Sequence, residues 1–280
     1  MVLALLPPVV RAEPTKPYTT RSTTRFRSID HFVPAPWRDR VAIQYFNAND
    51  DRNLSKMRVR IQDSHGRTLY ENSIEERWTV SAYGASGERK NFFMYDTSDP
   101  QKPYVNGYRN LLFAHGYRFL PSDPIVAYGD QGRMVTLVGN EYSTAVTASS
   151  DGKTLATLEF RRGTITLRTS SEPGKWKSRD IAPLPLGTSL GPGLSLALNS
   201  FGECFFLARR GDGETYSHVL YRCEVRTGKL SVAATFPISF SAELDAESTI
   251  PSRNQLYAPP GTHDVVFWSD GKVRWLTPQQ

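Results

Sequence analysis

One turn-and-strand unit recurs through the second half of this chain, and its spacing limits the folds open to it. "TASSDGKTLATLEF" (147–160), "ALNSFGECFFLARR" (197–210) and "TIPSRNQLYAPPGT" (249–262) each carry a small polar residue, a turn pair and an apolar strand. The turn pairs are Asp151-Gly152, Phe201-Gly202 and Arg253-Asn254, which sets Gly152, Gly202 and Asn254 at intervals of 50 and 52 residues. A unit of that length holds about four short strands. It cannot cover both faces by itself and is stable only between copies of itself. The spacing predicts an all-β chain, a β-propeller of four-stranded antiparallel blades, with about five blades as the first count and six as the second. A β-sandwich is the alternative.

Between the repeats run short alternating strands broken at turn residues. "RVAIQYFN" (40–47) sets Val41, Ile43 and Tyr45 on one face, as a half-buried strand requires. "KMRVRIQDSHGRTLYENSI" (56–74) reads as two strands around Asp63-Ser64-His65-Gly66. The same grammar returns at 124–139, at 220–236 around Thr227-Gly228, and at 264–277 around Asp270-Gly271. Residues 78–120 read as one blade, or as part of one with a long loop.

Ser150-Asp151-Gly152-Lys153-Thr154-Leu155-Ala156, followed by Gly163-Thr164-Ile165-Thr166-Leu167, resembles the WD40-like repeats of periplasmic TolB-type propellers. Those repeats run S-x-D-G-x-x-L-A, then G-x-I-x-L. The resemblance covers roughly the C-terminal half of the chain, fully in this blade and partially over 197–236 and 249–277. Where a Trp-Asp ending would stand, Leu167 is followed by Arg168-Thr169. The resemblance implies the propeller fold and carries no catalytic residue. In such repeats the Gly makes the turn and the Leu and Ala fill the layer between blades.

The first residues belong to another class. In "MVLALLPPVVRAEP" the apolar run Val2–Val10 precedes Arg11-Ala12, with the length of a signal-peptide core and a small residue at the cleavage point. Residues 1–12 are expected as a signal peptide, 13–35 as a Pro/Thr/Ser linker or N-terminal arm, and 36–280 as the propeller, placed in the periplasm or secreted. Elsewhere no apolar run approaches the roughly 18 residues that cross a bilayer as a helix, so no transmembrane segment is expected after signal removal. The formal charge of +6 includes Lys16, Arg21, Arg25 and Arg27. They lack the interleaved aromatics of a nucleic-acid site, and no nucleic-acid partner is expected.

Two cysteines sit in facing strands. A turn centred between Gly213 and Glu214 pairs Cys204 with Cys223, Phe206 with Tyr221 and Ala208 with Val219, one coherent apolar face. In an oxidising compartment a disulfide there stabilises by about 3 kcal/mol in the chain-entropy model. Reduced, the pair is two buried thiols.

Candidate chemistry is sparse. The chain has no G-x-S-x-G, no phosphate-binding loop and no dinucleotide fingerprint, and its five histidines lack metal-ligand spacing. No cofactor and no metal are expected. His263-Asp264 is the histidine pair of interest. Glu243, Asp245 and Glu247 alternate in "SAELDAEST", so a strand would set three carboxylates on one side for acid/base work. Lys175, Trp176 and Lys177, with Arg161 and Arg162, form a candidate ligand-binding set for phosphate, sulfate or a sugar ring. The leading expectation is a non-enzymatic binding or scaffold protein for a protein or cell-envelope polymer. The alternative is a secreted glycoside hydrolase or lyase using carboxylates at the mouth of the channel.

Overall fold

In the computed structural model of this chain, the strand Glu203–Gly211 is buried at its first six positions. A sheet with one face in water alternates buried and exposed residues. Unbroken burial requires a neighbouring sheet on each side, and the rest of the fold supplies both. The structure describes residues 17–26, 29, 31–46, 57–73, 78–83, 89–93, 112–114, 117–120, 125–128, 134–138, 143–149, 153–161, 164–172, 175–181, 184, 188–189, 195–211, 216–238, 256–269 and 271–279.

Among them, 23 strands form six sheets, and no residue is helical. Strand β1 (Tyr18–Arg25) belongs to the last sheet. Blade one runs β2 (His31–Val33), β3 (Arg40–Phe46), β4 (Met57–Asp63) and β5 (Thr68–Ser73). Blade two contains β6 (Trp78–Tyr83) and β7 (Arg89–Phe93). Blade three holds β8 (Leu112–Ala114), β9 (Tyr117–Leu120), β10 (Ile125–Tyr128) and β11 (Met134–Val138). Blade four holds β12 (Ser143–Ala148), β13 (Leu155–Arg161), β14 (Thr164–Glu172) and β15 (Lys175–Ile181). In blade five, β16 (Thr188–Ser189) and β17 (Leu196–Leu198) both pair with β18 (Glu203–Gly211), followed by β19 (Tyr216–Glu224) and β20 (Leu230–Ile238). Blade six is β21 (Leu256–Tyr257), β22 (Val265–Ser269) and β23 (Lys272–Pro278), with β1 as its outer strand.

The inner strands of successive blades meet: β2 with β6, β8 with β12, β12 with β17, and β17 with β21. In blade five, side chains alternate between its two seams. Cys204, Phe206 and Ala208 pack on Ala156, Leu158 and Ile165 of blade four. Phe205 and Leu207 pack on Val265, Phe267 and Leu276 of blade six. Trp268, Val273 and Trp275 then meet Phe32, Val41 and Ile43 of blade one. The chain is a β-propeller, and the described residues form six sheets, the larger of the two expected counts. Within 78–120 the described strands are β6 and β7 of blade two and β8 and β9 of blade three.

Two sequence expectations need correction. The stretch 13–35 is expected as a linker or N-terminal arm, yet within it Tyr18–Arg25 pairs antiparallel along β23, from Tyr18 with Pro278 to Arg25 with Lys272. Its polar pattern reflects an outer strand exposed at most positions, and the hydrogen-bond ladder overrides composition. The third repeat is also out of register. Leu256–Tyr257 after Arg253-Asn254 is the inner strand itself, and the tight turn follows at Gly261, φ +64. In the second copy the turn separates inner from second strand, at Gly202, φ +79. Residues 1–12, Asp151-Gly152 and Arg253-Asn254 lie outside the described residues.

The cysteine register holds: Cys204 pairs with Cys223, Phe206 with Tyr221 and Ala208 with Val219. Both cysteines are free thiols buried in the seam between blades four and five. Burial and the neighbouring thiol push Cys204 well above the usual thiol range. Burial pushes Cys223 up to about 12. Both thiols are expected to resist iodoacetamide in the native protein at about pH 8 and to react fully in denaturant, measured by mass spectrometry.

Tyr18 tests the closure of the ring. Its ring stands edge-on to Phe205 at 5.8 Å, joining β1 to the blade-five core. Tyr18→Ala and Phe205→Ala are each expected to cost about 3–5 kcal/mol. In a double-mutant cycle read by urea unfolding, their coupling should be about 0.5–1.5 kcal/mol. Strict additivity would mean that β1 closes the ring without this contact.

Candidate functional site

The turn between β17 and β18 sorts its side chains by one asparagine. Asn199 Oδ1 accepts the backbone N–H of Phe201 at 3.0 Å and that of Glu203 at 2.9 Å. The Asn199 N–H in turn donates to the Glu203 carbonyl at 3.0 Å. This closed turn leaves Phe201 at the tip, 52% exposed, and holds the Glu203 side chain inside at 5%. Fifty residues earlier Ser149 does the same work, with Oγ accepting the Thr154 N–H at 2.9 Å. The small polar residue of the repeat is the acceptor that closes the turn.

Glu203 collects donors from two blades. Asn199 Nδ2 donates to Oε2 at 2.6 Å, and His263 Nδ1 lies 2.7 Å from the same oxygen. Arg222 donates to Oε1 from Nε at 2.7 Å and also from Nη2. Burial alone would raise this carboxyl. The hydrogen bonds from His263, Asn199 and Arg222 outweigh it and hold the group below the usual carboxylate range. Glu203 is therefore a fixed anion and a poor proton donor. The His263 ring stacks on Phe201 at 4.1 Å and 14°, and Tyr18 Oη donates to the His263 carbonyl at 3.1 Å. Burial and the Glu203 charge push the Tyr18 phenol up, so it stays protonated.

Beside Phe201 opens a groove of about 450 Å³ between blades four and five, within the size range of ligand sites. Ser149, Thr154 and Thr169 line one wall, and Asn199, Ser200 and Phe201 another. Lys177 and Arg179 enter from β15 and Arg226 from the turn after β19, against the single acid Glu224. Arg179 crosses the seam, with its Cδ 2.9 Å from where a Cβ on Gly228 would stand. Gly228, at φ +73, admits both the turn and the arginine.

The expected residues are distributed unevenly. Lys177 lines the groove. Lys175 and Trp176 lie on the same strand, while Arg161 ends β13, paired with Thr164. Ala156 aligns with Thr169 and Lys177, so Arg161 lies five residues along β13 from that row, about 17 Å at strand rise. Arg162, Glu243, Asp245 and Glu247 lie outside the described residues. His263 and Asp264 diverge: His263 joins Glu203, and Asp264 Oδ2 accepts Trp275 Nε1 at 2.8 Å. Sequence reasoning missed Arg179, Phe201, Glu203, Arg222 and Arg226. The repeat motif flagged Phe201 only as a turn residue, and the others carried no local signal.

No family model matches the chain, and no curated protein matches it. Among solved structures, a gluconolactonase-like protein superposes with a TM-score of 0.50 at 10% identity, covering 94% of this chain and 92% of that one. A streptogramin B lyase gives 0.44 at 12%, covering 94% and 98%. TolB from Acinetobacter baumannii gives 0.44 at 14%, covering 75% of this chain, which spans only 54% of TolB. At these identities the likeness concerns the β-propeller fold alone.

Glu203 makes acid sensitivity predictable. Its folded pKa is depressed, so its contribution is complete above the unfolded value of about 4.5 and fades as pH falls through the folded one. Glu203→Gln should cost about 2–4 kcal/mol near pH 7. In urea titrations the gap between the two proteins should close in acid, toward about pH 3. A gap unchanged across that range would show that the carboxylate charge is not what holds His263 and Arg222.

Proposed function

We propose that this propeller is an extracytoplasmic, non-enzymatic binding or scaffold protein whose partner, a protein or cell-envelope polymer, presents negative charge to the groove between blades four and five. The observation that carries the reading is the grouping of Lys177, Arg179 and Arg226 around a groove whose rim bears the exposed ring of Phe201. Cations on both walls favour an anion lying between them. Hydroxyls among the lining residues, at Thr154, Thr169 and Ser200, supply directional hydrogen bonds. Phe201, backed by the His263 ring, offers an apolar platform held by a fixed anion beneath. Export rests on the apolar run Val2–Val10. Among the described residues no helix is long and apolar enough to cross a membrane.

Retention of the protein on immobilised polyglutamate and polygalacturonate should exceed retention on neutral dextran. It should fall steeply between about 0.05 M and 0.5 M salt, because exposed charges are screened. Replacing both Arg179 and Arg226 by Ala should weaken binding about tenfold or more, equivalent to two charge-assisted contacts. Equal retention on dextran, or retention indifferent to salt, would defeat the proposal.

A further inference from the structure

We propose that the free edge of β15 takes an extended acidic peptide as an added strand of blade four, with alternate carboxylates set against Lys177 and Arg179. This rests on the anion-binding reading of the groove and names the partner's chemistry. Among the described residues β15 pairs only with β14 and ends its sheet, so its outward backbone groups can pair with an incoming strand. Residues 177–180 are all exposed along that edge. Lys177 and Arg179 alternate with Ser178 and Asp180, on the row that ends in Ile181, and Ile181 is buried against blade five. Both cations therefore face the seam. The acid of the strand, Asp180, lies in the other row and accepts the Thr166 hydroxyl at 2.8 Å.

Spacing favours a peptide over a glycan. Alternate residues of a strand repeat at about 6.8 Å, so two strands side by side keep carboxylates and cations in step along their whole length. Arg226, across the groove, is 89% exposed in its side chain and lies 3.7 Å from Glu224.

Charged residues on outer strands also guard sheets against mispairing, but that role does not explain their placement here. The outer strands β5, β11 and β20 carry neither Lys nor Arg and the closing strand β1 carries Arg21 and Arg25, whereas β15 carries Lys175, Lys177 and Arg179. Of these strands, the one that borders the groove carries the most cations.

The test uses the full chain and fluorescence anisotropy with three labelled probes of equal charge. These are a peptide alternating Glu and Thr, a peptide of the same composition with its Glu residues contiguous, and an oligogalacturonate. The alternating peptide should bind about tenfold tighter than either of the others. N-methylation of every second amide should abolish that advantage, and the double variant Lys177→Ala, Arg179→Ala should lower its affinity about tenfold. Both side chains are exposed, so the thermal midpoint of that variant should stay within about 2 °C of the parent. Equal binding of all three probes, lost together in the double variant, would overturn the added-strand inference and leave the anion-binding reading standing. No binding by any probe, or binding untouched in the variant, would overturn both.

Discussion

The ladder between β1 and β23 is the contact on which this architecture depends. Each seam buries two sheet faces against one another, and a ring has no seam to spare. Without β1, β23 would be an open edge and the buried run of blade five would lose Tyr18 from its cover. Three hydrogen bonds extend the closure beyond the strands. Phe26 N–H donates to the Gly271 carbonyl at 2.9 Å, Trp268 Nε1 to the Phe26 carbonyl at 3.0 Å, and Gln279 N–H to the Pro17 carbonyl at 3.0 Å. Tyr257 adds a further tie, its hydroxyl donating to the Ala35 carbonyl at 2.8 Å and accepting the Ala35 N–H at 3.2 Å. The ring is thus locked by polar groups at the one junction where the chain's continuity cannot hold it.

The polar cluster around Glu203 belongs to the same logic. It sits where blade five meets blade six, and Tyr18 of the closing strand touches it through the His263 carbonyl. Burying one carboxylate is costly unless its oxygens are filled. Here three side chains fill them, and two come from elements other than the Asn199 turn. Asn199 and Arg222 supply their donors from blade five itself, and docking of blade six adds the third through His263. In return the aromatic pair Phe201–His263 is held at a fixed height beside the groove.

What could be read from the sequence was local. The Cys204–Cys223 register followed from the turn centre and from alternation of apolar residues, and both are properties of a single hairpin. The fold class followed from the interval between Gly152 and Gly202. The N-terminal strand was invisible because its partner is far away and its side chains mostly face water, so neither periodicity nor composition marks it. The third repeat was misread because an inner strand of two residues leaves almost no pattern. The site was legible only at Lys177 and His263. Glu203 and His263 meet across 60 positions of sequence, and Arg179 reaches Gly228 across a seam, so no window along the chain contains either pairing.

The pairing of Tyr18 with Pro278 also governs how this protein is made. During synthesis the earlier blades can form in order, while β1 waits without a partner until β23 has emerged. Holding these two distant segments together carries an entropic cost that is recovered only when the final ladder forms. Ring closure is therefore the expected slow step of folding, and until it occurs the nascent propeller exposes a strand edge able to capture another chain.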